Sequence, residues 1–274
     1  MWAVWKEYAL EIKEEWSRDD VPLLAAAQAY YYVLSVIPLM ILLLAILPYF
    51  QLDPDQVLSY AEEFLPGAAV DVFEDTIVDA VSEPNGGLLT VGILGTIWSA
   101  SNGMNAFIQA INTAFNVTKK RSFLKHRGLS ILLTLLLLLS LITTLFLPIF
   151  GEAILGAVQQ MAELPAQTEL LIQAGRWIIA LLVVITILTA LYTVAPNMKI
   201  PFKSVIPGAV AATIGWMAAS YGFSIYISNF GNFSATYGSL GGMIILMLWM
   251  FLTGIILLIG AEINAIHFRR QQGR

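Results

Sequence analysis

The chain has 274 residues, of which 58% are hydrophobic and only 12% charged, and its mean hydropathy is +0.76. Soluble domains have about 45–50% apolar and about 25% charged residues, so the composition excludes an ordinary water-soluble globule and indicates a membrane protein. The 14 basic and 19 acidic residues give a net charge of −5, and a chain without cysteine has no disulfide, thiolate metal ligand or cysteine nucleophile.

The first twenty residues have the pattern of an amphipathic helix. Apolar side chains recur every three or four residues, with lysine and glutamate between them, at Trp2, Trp5, Ala9, Ile12 and Trp16. Tryptophan rings favour the depth of the lipid headgroups, so we predict that residues 1–20 form a helix lying in the cytoplasmic interface.

Beyond residue 20, the hydropathy predicts six helices that cross a bilayer, each with about 20 or more mostly apolar residues. Their predicted bounds are 23–49, 87–115, 128–150, 171–194, 205–229 and 238–266. The predicted fold class is therefore an all-α polytopic membrane helix bundle. Residues 21–268 form a single transmembrane domain, and residues 269–274 form a cytoplasmic tail.

The long connection between the first two spans has helical spacing of its own. Asp53 and Pro54 provide a capping residue and a first-turn proline, and Pro66-Gly67 interrupts the apolar pattern that follows. We predict an extracytoplasmic helical hairpin over residues 53–83 that caps the bundle. A partly ordered acidic loop is the alternative.

The distribution of lysine and arginine sets the orientation. Every basic residue except Arg176 lies in the N-terminal segment, the second connection, the fourth connection or the tail, and the other connections carry acids or no charge. Cytoplasmic loops are enriched in lysine and arginine, so we predict a multi-pass protein with both termini in the cytoplasm. The residues predicted to contact lipid headgroups are Lys119, Lys120, Arg121, Lys125, Arg127 and Arg176.

A stripe of amides runs along the second predicted span. Asn102, Asn105, Gln109 and Asn112 recur every three or four residues and so share one face of a helix. Such a stripe either packs helices together through hydrogen bonds or lines a hydrated cavity. If it lines a cavity, these amides bind the substrate.

Glu262 is a carboxylate inside the sixth predicted span. Ionisable groups within a membrane are costly and indicate a functional site by default. Because Glu262 lies near the cytoplasmic end, a structural ion pair with basic residues of the second connection is the alternative to proton coupling. Arg176 lies near the outer boundary, where its side chain reaches headgroup phosphates.

Several motifs resemble the YihY/virulence factor BrkB family, some of whose members carry an old ribonuclease label. The resemblance covers nearly the whole chain in order, at Ala25–Pro38, Trp98–Met104, Pro207–Ala209 with Trp216, Tyr237–Gly241 and Gly260–Ala265. It implies a bacterial inner-membrane protein of about six helices, in a family linked to serum resistance or envelope lipid export. It supplies no catalytic residues.

Three functions compete. The first is a transporter or flippase that exports an envelope lipid or amphipathic anion, with Tyr32 and Tyr237 joining the amide stripe as hydrogen-bonding groups. The second is a membrane scaffold or envelope assembly factor that transports nothing. The third, a ribonuclease, is not expected, because the basic stretch around His126 lacks clustered carboxylates for metal-assisted cleavage.

We expect no enzymatic activity, no cofactor, no metal and no nucleic-acid partner. The expected partners are membrane lipids, with a second copy of the chain or an envelope protein as a further candidate.

Overall fold

The computed structural model describes residues 2–46, 48, 85–118, 121–138, 166–230 and 241–273, and within them it forms helices and no strand. The predicted outer hairpin over residues 53–83 lies outside the described residues. So do Lys119, Lys120 and Tyr237, and the third predicted span after residue 138.

The helices follow the hydropathy of the chain. Their bounds are α1 Trp2–Arg18, α2 Val21–Ile46, α3 Gly86–Ala114, α4 over residues 123–138, α5 Ala166–Val194, a 3-10 helix Phe202–Val205, α6 Ile206–Phe230 and α7 Gly241–Gln271.

Three of the described helical segments are long and apolar enough to cross a membrane: Val21–Leu39, Phe202–Ile227 and Gly241–Gln271. They overlap the first, fifth and sixth predicted spans. Helix α3 has nearly the bounds of the second predicted span but is less apolar, because amides and hydroxyls interrupt it. In α5, the shorter segment Ile178–Val194 is apolar.

The chain forms two compact units, residues 1–30 with 104–274, and residues 31–103. The core of the first unit is built from the second half of α3 together with α5, α6 and α7. Phe107 and Tyr192 are each at most 2% exposed, and their ring centroids lie 6.1 Å apart. Phe115 meets Phe268 edge-on at 6.2 Å.

Glycines bring α6 and α7 into backbone contact. A Cβ atom on Gly208 would overlap the carbonyl oxygen of Gly260, and a Cβ on Gly260 would lie 2.8 Å from the carbonyl oxygen of Gly208. Asn264 Oδ1 accepts a 2.7 Å hydrogen bond from the Gly208 N–H, and Tyr192 Oη donates to the Leu257 carbonyl at 2.7 Å. Small residues with interhelical hydrogen bonds are the usual means of helix association in lipid.

Helices of the second unit also associate through small residues and an interhelical hydrogen bond. The described part of α2 after residue 30 packs on the first half of α3. A Cβ on Gly92 would lie 2.9 Å from the Leu42 Cα, and Ser99 Oγ donates to the Leu34 carbonyl at 3.3 Å. These contacts place small residues of α3 against α2.

Candidate functional site

Helix α1 is attached to the last turns of α7 by polar side chains. Arg270 Nη2 donates to Glu11 Oε1 at 2.5 Å, and its guanidinium lies 4.1 Å from the centre of the Tyr8 ring. Tyr8 Oη is hydrogen-bonded to His267 Nδ1 at 3.3 Å. The predicted N-terminal helix is therefore a packed element of the first unit, and its position in the lipid interface stays a prediction.

Beside this contact lies a buried carboxylate trio formed by Glu15, Asp19 and Glu262. Their exposed fractions are 7%, 8% and 3%, and one carboxylate oxygen from each lies within 4.8 Å of the others. Glu15 belongs to α1, Asp19 to the turn that follows it, and Glu262 to α7. Two elements from opposite ends of the chain thus build one acidic site.

Two arginines pair with the carboxylate trio. Arg18 binds Glu15 and donates from Nε to Asp19 Oδ1 at 3.0 Å, and Arg269 Nη2 donates to Glu15 Oε1 at 2.7 Å. The hydrogen bond to Asp19 raises the pKa of Arg18 above its usual value, so this guanidinium stays charged. The sequence predicts basic residues of the second connection as ion-pair partners of Glu262. Neither Arg18 nor Arg269 belongs to that connection.

Local backbone geometry holds these groups in place. Asp20 and Asn116 adopt left-handed φ angles of 48° and 54°, Asp20 between α1 and α2 and Asn116 after the end of α3. With its oxygen facing the two guanidiniums, the Asn116 amide accepts from Arg18 Nη2 at 3.2 Å and from Arg269 Nη1 at 3.3 Å. Asparagine tolerates the left-handed conformation better than most residues, which explains its place at this helix end.

Part of the carboxylate trio has no partner. Asp19 Oδ2 and Glu262 Oε2 are buried and have no hydrogen-bond partner among the described residues. The charged groups that face Glu262 are Asp19, Glu15, Arg269 and Arg18. Buried polar atoms are nearly always satisfied in native proteins, so two such oxygens in one site require an explanation.

The amide stripe on α3 is partly engaged in hydrogen bonds within the protein. His126 Nε2 of α4 donates to Asn105 Oδ1. Asn112 Oδ1 accepts from the backbone N–H of Asn197 at 2.8 Å, and Asn112 Nδ2 donates to the Ile108 carbonyl at 2.8 Å. Gln109 is exposed and Asn102 half-buried. Asn105 and Asn112 therefore join segments of the first unit. This is what we expect if these two amides pack helices together rather than line a hydrated cavity.

The residues predicted to contact lipid headgroups have different surroundings in the structure. Arg121 donates to the Val194, Ala195 and Pro196 carbonyls at 3.2, 2.8 and 2.8 Å, so it caps the C-terminal end of α5. Lys125 is exposed and Arg127 is half-buried. Arg176 lies in α5, but its side chain is outside the described part of the chain.

Of the two predicted tyrosines, the structure describes Tyr32. Tyr32 lies in the second unit, where a Cβ on Gly103 would come within 2.6 Å of its ring, so the ring packs on the α3 backbone. Tyr237 lies outside the described residues.

An open groove of about 390 Å³ separates α6 and α7 at a different place. Its lining is mainly aromatic and aliphatic with two serines, and it includes Ser220, Phe223, Ser224, Ile245 and Trp249. None of the predicted site residues that the structure describes belongs to this lining. The groove therefore presents an apolar surface between α6 and α7, and the amide stripe lies on a different helix.

Comparison with known proteins establishes the family. The sequence profile described as Virulence factor BrkB matches residues 12–274. The chain belongs to the BrkB family. The resemblance predicted from its motifs is thus confirmed, and the match includes all three members of the carboxylate trio.

Relatives of this BrkB-family chain are also named as membrane proteins. UPF0761 membrane proteins of Alkalilimnicola ehrlichii and Aliivibrio salmonicida are each 30% identical, over 93% and 94% of this chain and 57% and 82% of their own lengths. YfkH of Bacillus subtilis, named as a ribonuclease-like protein, is 41% identical over 90% of both chains. No solved structure matches.

Sequence reasoning identified Glu262 in this BrkB-family protein but missed Glu15 and Asp19. These two acids are four residues apart and so lie on one face of the amphipathic helix and its turn. That spacing is a signal that could have identified them as a pair. No local pattern in the sequence indicates that this face meets α7.

Proposed function

We propose that the protein is a bacterial inner-membrane transporter or flippase that exports an envelope lipid or amphipathic anion. The observation that carries this proposal is Glu262, a buried carboxylate in the most apolar of the three described segments that are long enough to cross a membrane. Its Oε2 has no hydrogen-bond partner in the described residues. A carboxylate so placed is costly, and within spanning helices such groups mark the pathways of ions or substrates. In this proposal Glu262 is the coupling-ion site.

The apolar groove between α6 and α7 supports a substrate with a hydrocarbon part. Its Phe223 and Trp249 rings lie 5.2 Å apart, and among the described residues of the lining the two serines provide the hydroxyls. An acyl chain fits such a surface, whereas a small polar solute would leave its hydrogen bonds unmade. Exposed basic residues such as Lys125 would collect anionic headgroups on the cytoplasmic side, where we place this end of α4.

Reconstitution tests the proposal. Proteoliposomes containing fluorescent NBD-phosphatidylglycerol are exposed to external dithionite, which destroys only the label in the outer leaflet. We expect the wild type to move labelled lipid between leaflets and Glu262→Gln to slow that movement several-fold. Glu14→Gln is the matched control, since Glu14 is exposed on α1. If neither labelled lipid nor an enclosed amphipathic dye moves faster than in protein-free vesicles, the transport proposal is wrong.

A scaffold without a transported substrate is the second candidate, and one observation favours it. Asn105 and Asn112 make hydrogen bonds within the protein, as packing residues do. A scaffold should give a single stoichiometric partner on crosslinking in cells and no lipid movement in vesicles. Transport in vesicles of the purified protein alone would exclude it as the main function.

A ribonuclease is not proposed. His126, the histidine of the basic stretch, uses Nε2 to hold Asn105. RNA cleavage by the purified protein that disappears in His126→Ala would reverse this conclusion.

A further inference from the structure

The charges at the carboxylate trio do not balance. Three buried carboxylates face two guanidiniums, those of Arg18 and Arg269, among the described residues. Both arginines bond to Glu15 or Asp19, and neither forms an ion pair with Glu262. With all three carboxylates ionised, one negative charge is in excess among the described residues, and burial makes an uncompensated charge strongly unfavourable.

Two oxygens of the trio lack the partner that a bound ligand would supply. Asp19 Oδ2 and Glu262 Oε2 belong to side chains more than nine-tenths buried, and the trio's ligand atoms lie within 4.8 Å of one another. Ca²⁺ binds carboxylate oxygens at about 2.4 Å and accepts flexible geometry, whereas Mg²⁺ requires near-ideal octahedral geometry at about 2.0–2.1 Å. A cation of the size of Ca²⁺ therefore suits three carboxylates that also bind two arginines better than Mg²⁺ does.

We propose that Glu15, Asp19 and Glu262 form a binding site for one Na⁺ ion. Sodium has nearly the radius of calcium, and its single charge cancels the single excess charge of the site. Ca²⁺ would leave the site positive and usually requires six to eight oxygen ligands, several more than this trio offers beside its two arginines. The site ties α1 and the turn after it to α7.

The inference deepens the proposed function, because it rests on Glu262 as the coupling-ion site, but binding is measured without transport. If the purified protein binds Na⁺ in detergent but its proteoliposomes move no lipid, the Na⁺ site is supported and the proposal of a transporter is wrong. Lipid movement by a protein that binds no Na⁺ in detergent would keep the transporter and refute the site.

The test is thermal unfolding of the purified full chain in NaCl or choline chloride of equal ionic strength, at mildly alkaline pH. A ligand that binds only the folded protein raises its melting temperature, and at about ten times Kd we expect a rise of about 3 °C. Equilibrium binding of radioactive sodium should give one ion per chain.

Variants separate a cation site from a structural ion pair. Glu262→Gln removes the excess charge, so it should abolish the Na⁺ response and be at least as stable as the wild type in choline. Asp19→Asn should also lose the response, although it weakens the bond to Arg18. Glu14→Gln should keep it.

Three outcomes would overturn the proposal. The first is a wild type with no response to Na⁺ and a Glu262→Gln variant destabilised equally in both salts, which would make Glu262 a structural residue. The second is stabilisation by Ca²⁺ but not by Na⁺. The third is stabilisation by acidification alone, which would show that a proton satisfies the trio.

Discussion

His126 illustrates how a single side chain is set by its neighbours. It lies in the first turn of α4, where its Nε2 donates to Asn105 and its backbone N–H donates to the Ser122 carbonyl at 2.9 Å. Partial burial, and then the positive charge of Arg121, lower the pKa of His126 below its usual value. Folding therefore favours the neutral ring over the charged one.

This shift makes stability depend on pH. Because the folded state binds the proton less readily than the unfolded state, the contribution of His126 is fully present above the unfolded pKa of about 6.5. It is lost as the pH falls from there through the lowered pKa of the folded state. We expect the melting temperature of the wild type to fall more steeply than that of His126→Gln between about pH 7 and about pH 5.

Glutamine keeps a donor for Asn105 but does not titrate, so the comparison isolates the proton. His267→Gln removes the other histidine and should keep the steep slope of the wild type. Equal slopes for the wild type and His126→Gln would show that the ring does not couple protonation to folding.

At the scale of elements, the crossing of α6 and α7 depends on the absence of side chains. A Cβ on Gly208 would meet the Gly260 carbonyl oxygen and lie 2.5 Å from the Asn264 side chain. The Gly260 carbonyl belongs to the backbone, so it cannot rotate away from an added methyl group as the end of a side chain can. The Asn264 bond to the Gly208 N–H is made possible by the same close approach.

Gly208→Ala should therefore destabilise the protein by about 1–3 kcal/mol, the usual cost of forcing an extra methyl group into a packed interior. Gly222→Ala is the matched control on the same helix, because a Cβ there meets nothing within 4 Å. It should be neutral or stabilising, since alanine favours helix. The difference in stability between the two variants is measured by their unfolding in mixed micelles with increasing SDS. Equal stabilities would contradict the close approach of α6 and α7 at Gly208.

At the scale of the whole molecule, the sequence predicts the bounds of helices well where these bounds depend on the local hydropathy pattern. Helix α3 was expected over 87–115 and is Gly86–Ala114, and α6 was expected over 205–229 and is Ile206–Phe230. Long apolar runs determine such bounds, because a chain in lipid must satisfy its backbone hydrogen bonds within the helix.

The sequence could not predict contacts between distant segments. The period of the amide stripe places Asn105 and Asn112 on one face of α3, but their partners His126 and Asn197 come from α4 and the segment after α5. In the same way, Glu262 was found by its cost in an apolar helix. Its meeting with Asp19 depends on how α1 packs on α7, which no local pattern encodes.

The orientation of the whole chain is open to a direct test, because the protein has no cysteine. Asn85 precedes α3, Ser122 precedes α4 and Gln272 follows α7, and all three are exposed. The 29 residues of α3 extend for about 43 Å at about 1.5 Å per residue, more than the hydrocarbon core of about 30 Å. If α3 crosses the bilayer, residues 85 and 122 face opposite sides.

The basic residues lie at the Ser122 end, so we expect that end in the cytoplasm. A membrane-impermeant maleimide added to intact cells should label Asn85→Cys, and should label Ser122→Cys and Gln272→Cys only after the membrane is permeabilised. Labelling of Ser122→Cys and Gln272→Cys in intact cells would reverse the orientation. It would then place the carboxylate trio on the outer side of the membrane, where any ion it binds would be taken from outside the cell.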